Sequence, residues 1–223
     1  MDINETMIAA LAGRAFLYKY LWRAFAGEPD QAFLDVAASQ DVAEAFSVFA
    51  GDSSSAVQHQ RMIGEFAETV DLDVLCSEYT KLFIGPGKLP APPWESVYVY
   101  GEDLLFQEST LEVRLDYRAA GYQASGYPHE ADDHLAKELG FMSALSEEAQ
   151  QAFEQGDGES FRQAMSRQLL FLGKHLNSWL PKFAERFESA EKPKVGPFYH
   201  EFVALAVAVC AQDAENIEEL MNA

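Results

Sequence analysis

The chain has 223 residues, which suits one large helical domain, or two lobes that share a core, better than several domains. Hydrophobic residues make up 48% of the sequence, and this excludes a wholly disordered protein because disorder requires low hydrophobicity. Lys and Arg total 16 against 36 Asp and Glu, a net charge of −20 that disfavours nucleic acids and anionic membranes and favours a basic partner.

The acidic charge would also follow from a need for solubility alone. The first five residues lack the basic-then-apolar order of a signal peptide, and the longest apolar run, 202–211, is half the length that spans a bilayer. Cys76 and Cys210 lie in apolar helical stretches and are predicted to be reduced, buried thiols. The sequence therefore predicts a cytoplasmic protein without stable membrane insertion.

Helical periodicity dominates the first third of the chain. The first helix is predicted to bury one face, formed by Leu11, Ala15, Tyr18, Trp22 and Phe25. A glycine and a proline at positions 27 and 29 are predicted to end it. Shorter helices are expected over about 31–38, 42–50, 56–69 and 72–83.

Residues 85–93 contain four prolines and two glycines, so no helix passes through them. They are predicted to form a stiff hinge loop between N-terminal helices, 1–84, and C-terminal helices, 94–223. The hinge residues are Gly85, Pro86, Gly87, Pro92 and Pro93. A phosphate-binding loop is excluded because leucines stand at the required glycine and Ser/Thr positions, 82 and 89.

The C-terminal part is also helical. An S-x-x-E capping box at 109–112 predicts the start of a helix, and an apolar face over 135–145 predicts another. A helix from about Phe161 is expected to stop at Pro181, and the last helix, about 198–221, belongs at the centre of a bundle. The predicted fold class is all-α, a single-domain helical bundle of roughly ten helices.

The catalytic alternatives are weak. Potential metal ligands are His129, Asp132, Asp133, His134 and Glu138, but their spacing favours an acidic helix N-terminus over a metal site. Ser96 follows Glu95 but has no base, so no catalytic residue is predicted. The aromatic residues Trp94, Tyr98 and Tyr100 leave two interpretations open, a tether that holds the loop on the core or a platform for a peptide.

Three segments, in this order, carry a more specific signal. The first is EYTKLFIGPG at 78–87 followed by PPWESVY at 92–98, the second is EADDHL at 130–135, and the third runs from Phe171 to Phe183 as F-x(3)-HL-x(2)-WLP-x-F. Together they resemble the TorD/DmsD/NarJ family of redox-enzyme maturation chaperones, with PPWESVY favouring the TorD/DmsD branch. Ala131 departs from the pattern, because the family usually has proline there.

The resemblance implies a chaperone without catalytic activity that serves anaerobic respiration. Such a chaperone binds the twin-arginine leader and apo form of a molybdenum-cofactor oxidoreductase, such as a dimethyl sulfoxide or trimethylamine N-oxide reductase. It assists cofactor insertion and delays contact with the export machinery. The implied leader-binding residues are Trp94, Glu95, Ser96, Tyr98, Glu130, Asp133 and His134.

Other properties stay open at the level of the sequence. The alternatives are a NarJ-like factor acting on the mature part of a molybdoenzyme, or a metal- or nucleotide-dependent hydrolase. No cofactor is predicted, although some family members bind guanine nucleotides weakly; monomer and dimer are both compatible with the sequence. On physical grounds, the carboxylates of Glu95, Glu130 and Asp133 are expected to pair with guanidinium groups, and Trp94 and Tyr98 to contact the leader's apolar part.

Overall fold

The computed structural model describes residues 3–190 and 197–222, and most of them are helical. A five-residue π-helical turn, Thr80–Ile84, follows α5 directly. The described residues form no β-strand, and the predicted all-α class is confirmed with eleven α-helices. These are α1 (Ile3–Ala26), α2 (Gln31–Ala37), α3 (Gln40–Ala50), α4 (Ser55–Ala67), α5 (Leu72–Tyr79), α6 (Glu95–Tyr100), α7 (Glu108–Ala119), α8 (Leu135–Glu154), α9 (Gly158–Lys174), α10 (Leu176–Ser189) and α11 (Phe198–Asn222).

Helices from both sides of the 85–93 loop share one core. The long helix α1 packs along α8, and α4 packs along α11. The face predicted for α1 is buried except for Trp22, whose side chain is 38% exposed, so that part of the prediction was wrong. Helix α11 lies at the centre of the bundle as predicted, with Phe202, Leu205 and Val209 fully buried. Within 3–190 and 197–222, no helix has the length and apolarity needed to cross a bilayer.

A cluster of aromatic rings joins the two halves of the chain. Phe83 from the π-helical turn stacks on Phe187 of α10 at 5.9 Å between ring centroids. The same ring meets Phe25 of α1 and Tyr199 of α11 edge to face, at 5.8 and 5.4 Å. Because each buried aromatic ring removes a large apolar surface from water, this cluster anchors the turn that leads into the 85–93 loop.

A buried polar network that was not predicted from the sequence connects four helices. Arg14 of α1 donates from Nε and Nη2 to the carboxylate of Asp213 on α11, at 2.6 and 2.8 Å. Its Nη2 also donates to Gln168 of α9 at 2.7 Å, and the Tyr18 hydroxyl donates to Asp213 at 2.8 Å. Ser146 of α8 completes the network by donating to Gln168 at 2.9 Å. Every charge in the network is therefore paired, as burial requires.

Two predicted helix boundaries were wrong. The helix expected to stop at Pro181 is interrupted earlier, at His175, and α10 contains Pro181. At position 181 the helix loses one backbone N–H donor, because proline has none. At position 175, where the helix breaks, the His175 side chain lies between the carboxylates of Glu95 and Asp116. The capping box was also wrong, because α7 begins at Glu108, with Gln107 at its N-cap, and the buried Ser109 hydroxyl has no hydrogen-bond partner in the described part of the chain.

Glu78 on α5 predicts a pH dependence of stability. Its carboxyl is buried without a hydrogen-bond partner in the described part of the chain, and burial raises its pKa to about 7. The folded state therefore holds this proton more tightly than the unfolded state, in which the glutamate has a pKa of about 4.3. The resulting stabilisation is complete at pH values below that pKa and is lost as the pH rises through 7.

We expect the wild type to lose roughly 2 kcal/mol more stability than Glu78→Gln between pH 4 and pH 8. Urea unfolding at several pH values measures this difference. Glu65→Gln is the control, since Glu65 is exposed on α4 and should leave the pH dependence unchanged. Parallel pH profiles for the wild type and Glu78→Gln would contradict the prediction.

Candidate functional site

Two of the sequence motifs meet in a short antiparallel pairing. The Glu95 N–H donates to the Asp133 carbonyl at 3.0 Å, and the Leu135 N–H donates to the Pro93 carbonyl at 2.9 Å. Trp94 and His134 lie opposite each other in this bridge. The end of the proline-rich loop is thus fixed to the entry of α8.

Asp133 fastens the elements that meet at this pairing. Its carboxylate is fully buried, and Oδ2 accepts the Ser96 backbone N–H at 2.9 Å, which caps the N-terminus of α6. The other oxygen accepts the Thr110 hydroxyl of α7 at 2.9 Å. The side chain therefore holds α6, α7 and the entry of α8 in place.

Glu95 is buried and already has protein partners. Its Oε2 lies 2.8 Å from Nδ1 of His175, and Nε2 of His175 lies 2.8 Å from Oδ2 of Asp116. Burial and the neighbouring charge of Glu95 raise the pKa of Glu138 well above its usual range. Glu138 accepts the indole N–H of Trp179 at 3.1 Å. This chain of polar groups connects α6 with α7, α8 and α10.

Ser96 and Tyr98 also face the interior. The Tyr98 ring stacks on Trp179 with centroids 5.6 Å apart and meets Phe183 edge to face at 5.8 Å. Burial raises the pKa of the Tyr98 phenol. Four of the seven predicted leader-binding residues, Glu95, Ser96, Tyr98 and Asp133, are therefore buried in this structure.

The other three predicted residues, Trp94, Glu130 and His134, line an open groove of about 580 Å³. We call it the Trp94 groove. Its further lining comes from the end of α1, the π-helical turn, the loop before α7 and the start of α8, and the main apolar contributors are Trp22, Phe25, Phe83, Ile84, Leu105 and Phe106. Ile84 is 63% exposed and Phe106 is 55% exposed, so the groove presents apolar surface to solvent.

The polar side chains of the Trp94 groove, His134 and Glu130, differ in charge and in their partners. His134 accepts the Ala136 N–H at Nδ1 over 3.1 Å, and its ring meets Trp94 edge to face at 5.1 Å. Burial lowers the pKa of His134 to about 4, so the ring is neutral at pH 7. Glu130 is exposed and pairs with Lys137 at 3.1 Å. The groove therefore has a neutral aromatic wall with an ion pair at its rim.

The groove continues in both directions along the surface. A depression of about 440 Å³ shares Trp94 and Leu105 with it and reaches Lys88 and Asp103, which form an ion pair at 2.8 Å. On the other side, a smaller hollow of about 190 Å³ shares Trp22, Ser125 and Lys137 with the groove. The three depressions therefore adjoin one another through shared lining residues.

Of the predicted hinge residues, Pro92 lines the depression next to the Trp94 groove. Gly85 and Gly87 have φ values of +111° and +140°, which side chains rarely adopt, so both positions require glycine. Pro86 is exposed, Pro92 is half-buried and Pro93 is buried.

Sequence reasoning missed Trp22, Leu105 and Phe106 as groove residues. Trp22 fitted the predicted buried stripe of α1, but it is 38% exposed in the structure. The available signal for the others was the run Leu104-Leu105-Phe106, an apolar triplet between an acidic pair and a glutamine in a loop. In residues 3–190 and 197–222, no three His, Cys, Asp or Glu side chains come together to hold a metal ion.

Comparison with known proteins gives a consistent set of relatives. Residues 51–185 match the family model described as nitrate reductase delta subunit. The chain is 26% identical over its full length to 99% of "Chaperone protein TorD" from Shewanella sp. (strain ANA-3). It is 28% identical over 91% of its length to 93% of "Chaperone protein TorD" from Vibrio vulnificus (strain CMCP6). Over 60% of its length it is 34% identical to 57% of "Tat proofreading chaperone DmsD" from Salmonella typhi.

Proposed function

Because the chain belongs to the nitrate reductase delta subunit family, we propose that it is a maturation chaperone that binds its client's twin-arginine leader in the Trp94 groove. The client is the apo form of a molybdoenzyme catalytic subunit, held in the cytoplasm until it is ready for the export machinery. The names of the relatives, which are those of chaperones rather than enzymes, support this proposal and favour the TorD/DmsD branch.

The exposed apolar lining of the groove is the observation that carries the proposal. A twin-arginine leader combines a basic end with an apolar stretch. Trp22, Ile84 and Phe106 offer the apolar stretch a solvent-facing surface, and burial of such surface drives association. The net charge of −20 favours encounter with the basic end.

The burial pattern divides the predicted residues into two roles. Trp94, His134 and Glu130 contact the leader, since they line the groove. Glu95, Ser96, Tyr98 and Asp133 position α6 and the bridge that carries Trp94. Glu130 is the predicted carboxylate that is available to a leader arginine, which would displace Lys137 from its ion pair.

Phe106→Ser is expected to weaken leader binding about tenfold, since it removes about 1–2 kcal/mol of apolar contact. Isothermal titration with a synthetic twin-arginine leader measures this change. The control is Leu115→Ser on α7, which removes an exposed apolar side chain outside the groove and should leave the affinity unchanged.

A second peptide, in which both arginines are replaced by lysine, separates charge from geometry. We expect it to bind more weakly, because guanidinium groups pair with carboxylates through two parallel hydrogen bonds and ammonium groups do not. No heat with either peptide, or equal affinities for Phe106→Ser and the wild type, would overturn the proposed function.

A further inference from the structure

A second groove lies away from the Trp94 groove, between α1, α3 and the end of α11. Its volume is about 590 Å³. We call it the Gly13 groove. Its lining includes Ala9, Gly13, Asp41, Glu44, Val48 and Glu219. None of the sequence motifs or the predicted leader-binding residues falls in it.

Small and apolar side chains form the floor of the Gly13 groove. Ala9 and Gly13 are one turn apart on α1, and a Cβ added at Gly13 would meet nothing within 4 Å. Val48 of α3 stands at the edge with 79% of its side chain exposed. The Asn216 side-chain amide donates to the Phe49 carbonyl at 3.1 Å, which fixes α11 against the end of α3. The groove is thus a stable, open and largely apolar trough.

The rim of this trough is acidic. Asp41, Glu44 and Glu219 are exposed, and none of them has an ion-pair partner among the described residues. Arg14 does not neutralise them, because its guanidinium is buried and bonded to Asp213 and Gln168. Glu218 and Glu215 add further negative charge on the neighbouring turns of α11.

We propose that the Gly13 groove docks a lysine- or arginine-rich amphipathic α-helix of a separate protein. Small residues on the floor let a helix approach closely, so that its apolar stripe covers the alanines and Val48 while its basic side chains meet the acidic rim. A second copy of this chain is disfavoured as the occupant, because each copy carries a net charge of −20.

The two grooves are distinct binding surfaces. Gly13 and Trp22 are separated by about two and a half turns of α1, or about 14 Å along its axis, so they lie on opposite faces of that helix. A ligand in the Gly13 groove therefore leaves the Trp94 groove free, and the inference does not depend on the proposed leader binding.

The test uses Gly13→Phe, which fills the trough. The probe is a synthetic amphipathic helix of leucine, alanine and lysine, about five turns long. Fluorescence anisotropy should show binding to the full-length protein and at least about tenfold weaker binding to Gly13→Phe. Gly173→Phe is the matched control, because Gly173 is an exposed glycine of α9 with the same open space around it, and it should retain the wild-type affinity.

Charge-reversal variants distinguish the contribution of the acidic rim to probe binding from that of the protein's net charge. Asp41→Lys with Glu44→Lys should weaken the probe at least about tenfold, whereas Glu154→Lys with Glu185→Lys, an equal change in net charge elsewhere, should have a much smaller effect. Equal losses in both pairs would overturn the proposal, as would binding sensitive to Phe106→Ser but not to Gly13→Phe. Self-association of the wild type that Gly13→Phe abolishes would also overturn it, by assigning the groove to a second copy.

Titration with the twin-arginine leader distinguishes a failure of this proposal from a failure of the proposed function. Gly13→Phe should bind the twin-arginine leader with unchanged affinity, because the Trp94 groove is untouched. Loss of leader binding in Gly13→Phe would show that the two surfaces are one site and would overturn the inference.

Discussion

Arg14→Met is expected to lower the free energy of unfolding by about 3–5 kcal/mol, because it leaves the Asp213 carboxylate buried without its cation. Arg14 makes two hydrogen bonds to Asp213, and both side chains are almost completely buried. The Tyr18 hydroxyl, which donates to the same carboxylate at 2.8 Å, cannot replace a positive charge. Urea unfolding followed by circular dichroism measures the loss.

The control for Arg14→Met is Arg23→Met on the same helix. Arg23 pairs with Asp30 at the surface, where water solvates both charges, so its loss should have a much smaller effect. The double variant Arg14→Met with Asp213→Leu should recover part of the stability, because no charge is then left unpaired. A double variant less stable than Arg14→Met would contradict this account of the network.

His175→Ala is expected to destabilise the fold by a similar amount, about 3–5 kcal/mol, because Glu95 then stays buried without its partner beside Glu138. Since Glu95 begins α6, the loss should also loosen the segment that presents Trp94. Leader binding should therefore weaken in His175→Ala even under conditions where the variant is fully folded. Urea unfolding and isothermal titration measure the two effects.

Lys174→Ala is the matched control for His175→Ala. The Lys174 ammonium contacts the same Asp116 at 3.0 Å, but both side chains are partly exposed to solvent. Solvent screens this pair, so its removal should change stability far less and leave leader binding intact. Similar losses of stability and leader affinity in Lys174→Ala and His175→Ala would contradict the prediction that the buried contact between His175 and Glu95 causes the effect.

The sequence predicted the helices well because their apolar periodicity is strong. The central position of α11 followed from the apolar run around Phe202, and the end of α1 followed from the glycine and proline at 27 and 29. Boundaries were less predictable where tertiary contacts override local preference. The helix breaks at His175, before Pro181, where the His175 ring lies between two carboxylates, and the buried Ser109 does not cap α7.

The candidate site could be located from the sequence but not resolved into roles. The motifs identified the segments that meet at the Trp94–His134 bridge. They did not reveal that Glu95 and Asp133 face the interior. A motif gives the residue type, and a carboxylate that binds a partner cannot be distinguished in the sequence from one that caps a helix. Phe106 was missed for a different reason, since it lies in a loop without a motif and its sequence signal is the apolar triplet 104–106 alone.

Photo-crosslinking can show whether the Trp94 groove receives the apolar stretch of a twin-arginine leader. A synthetic leader with benzoylphenylalanine in that stretch would be irradiated with the full-length protein, and the adducts mapped by mass spectrometry. We expect adducts at the groove, on residues 83–84, 105–106 and 129–137. Adducts confined to α3, the first half of α1 or the end of α11 would contradict it.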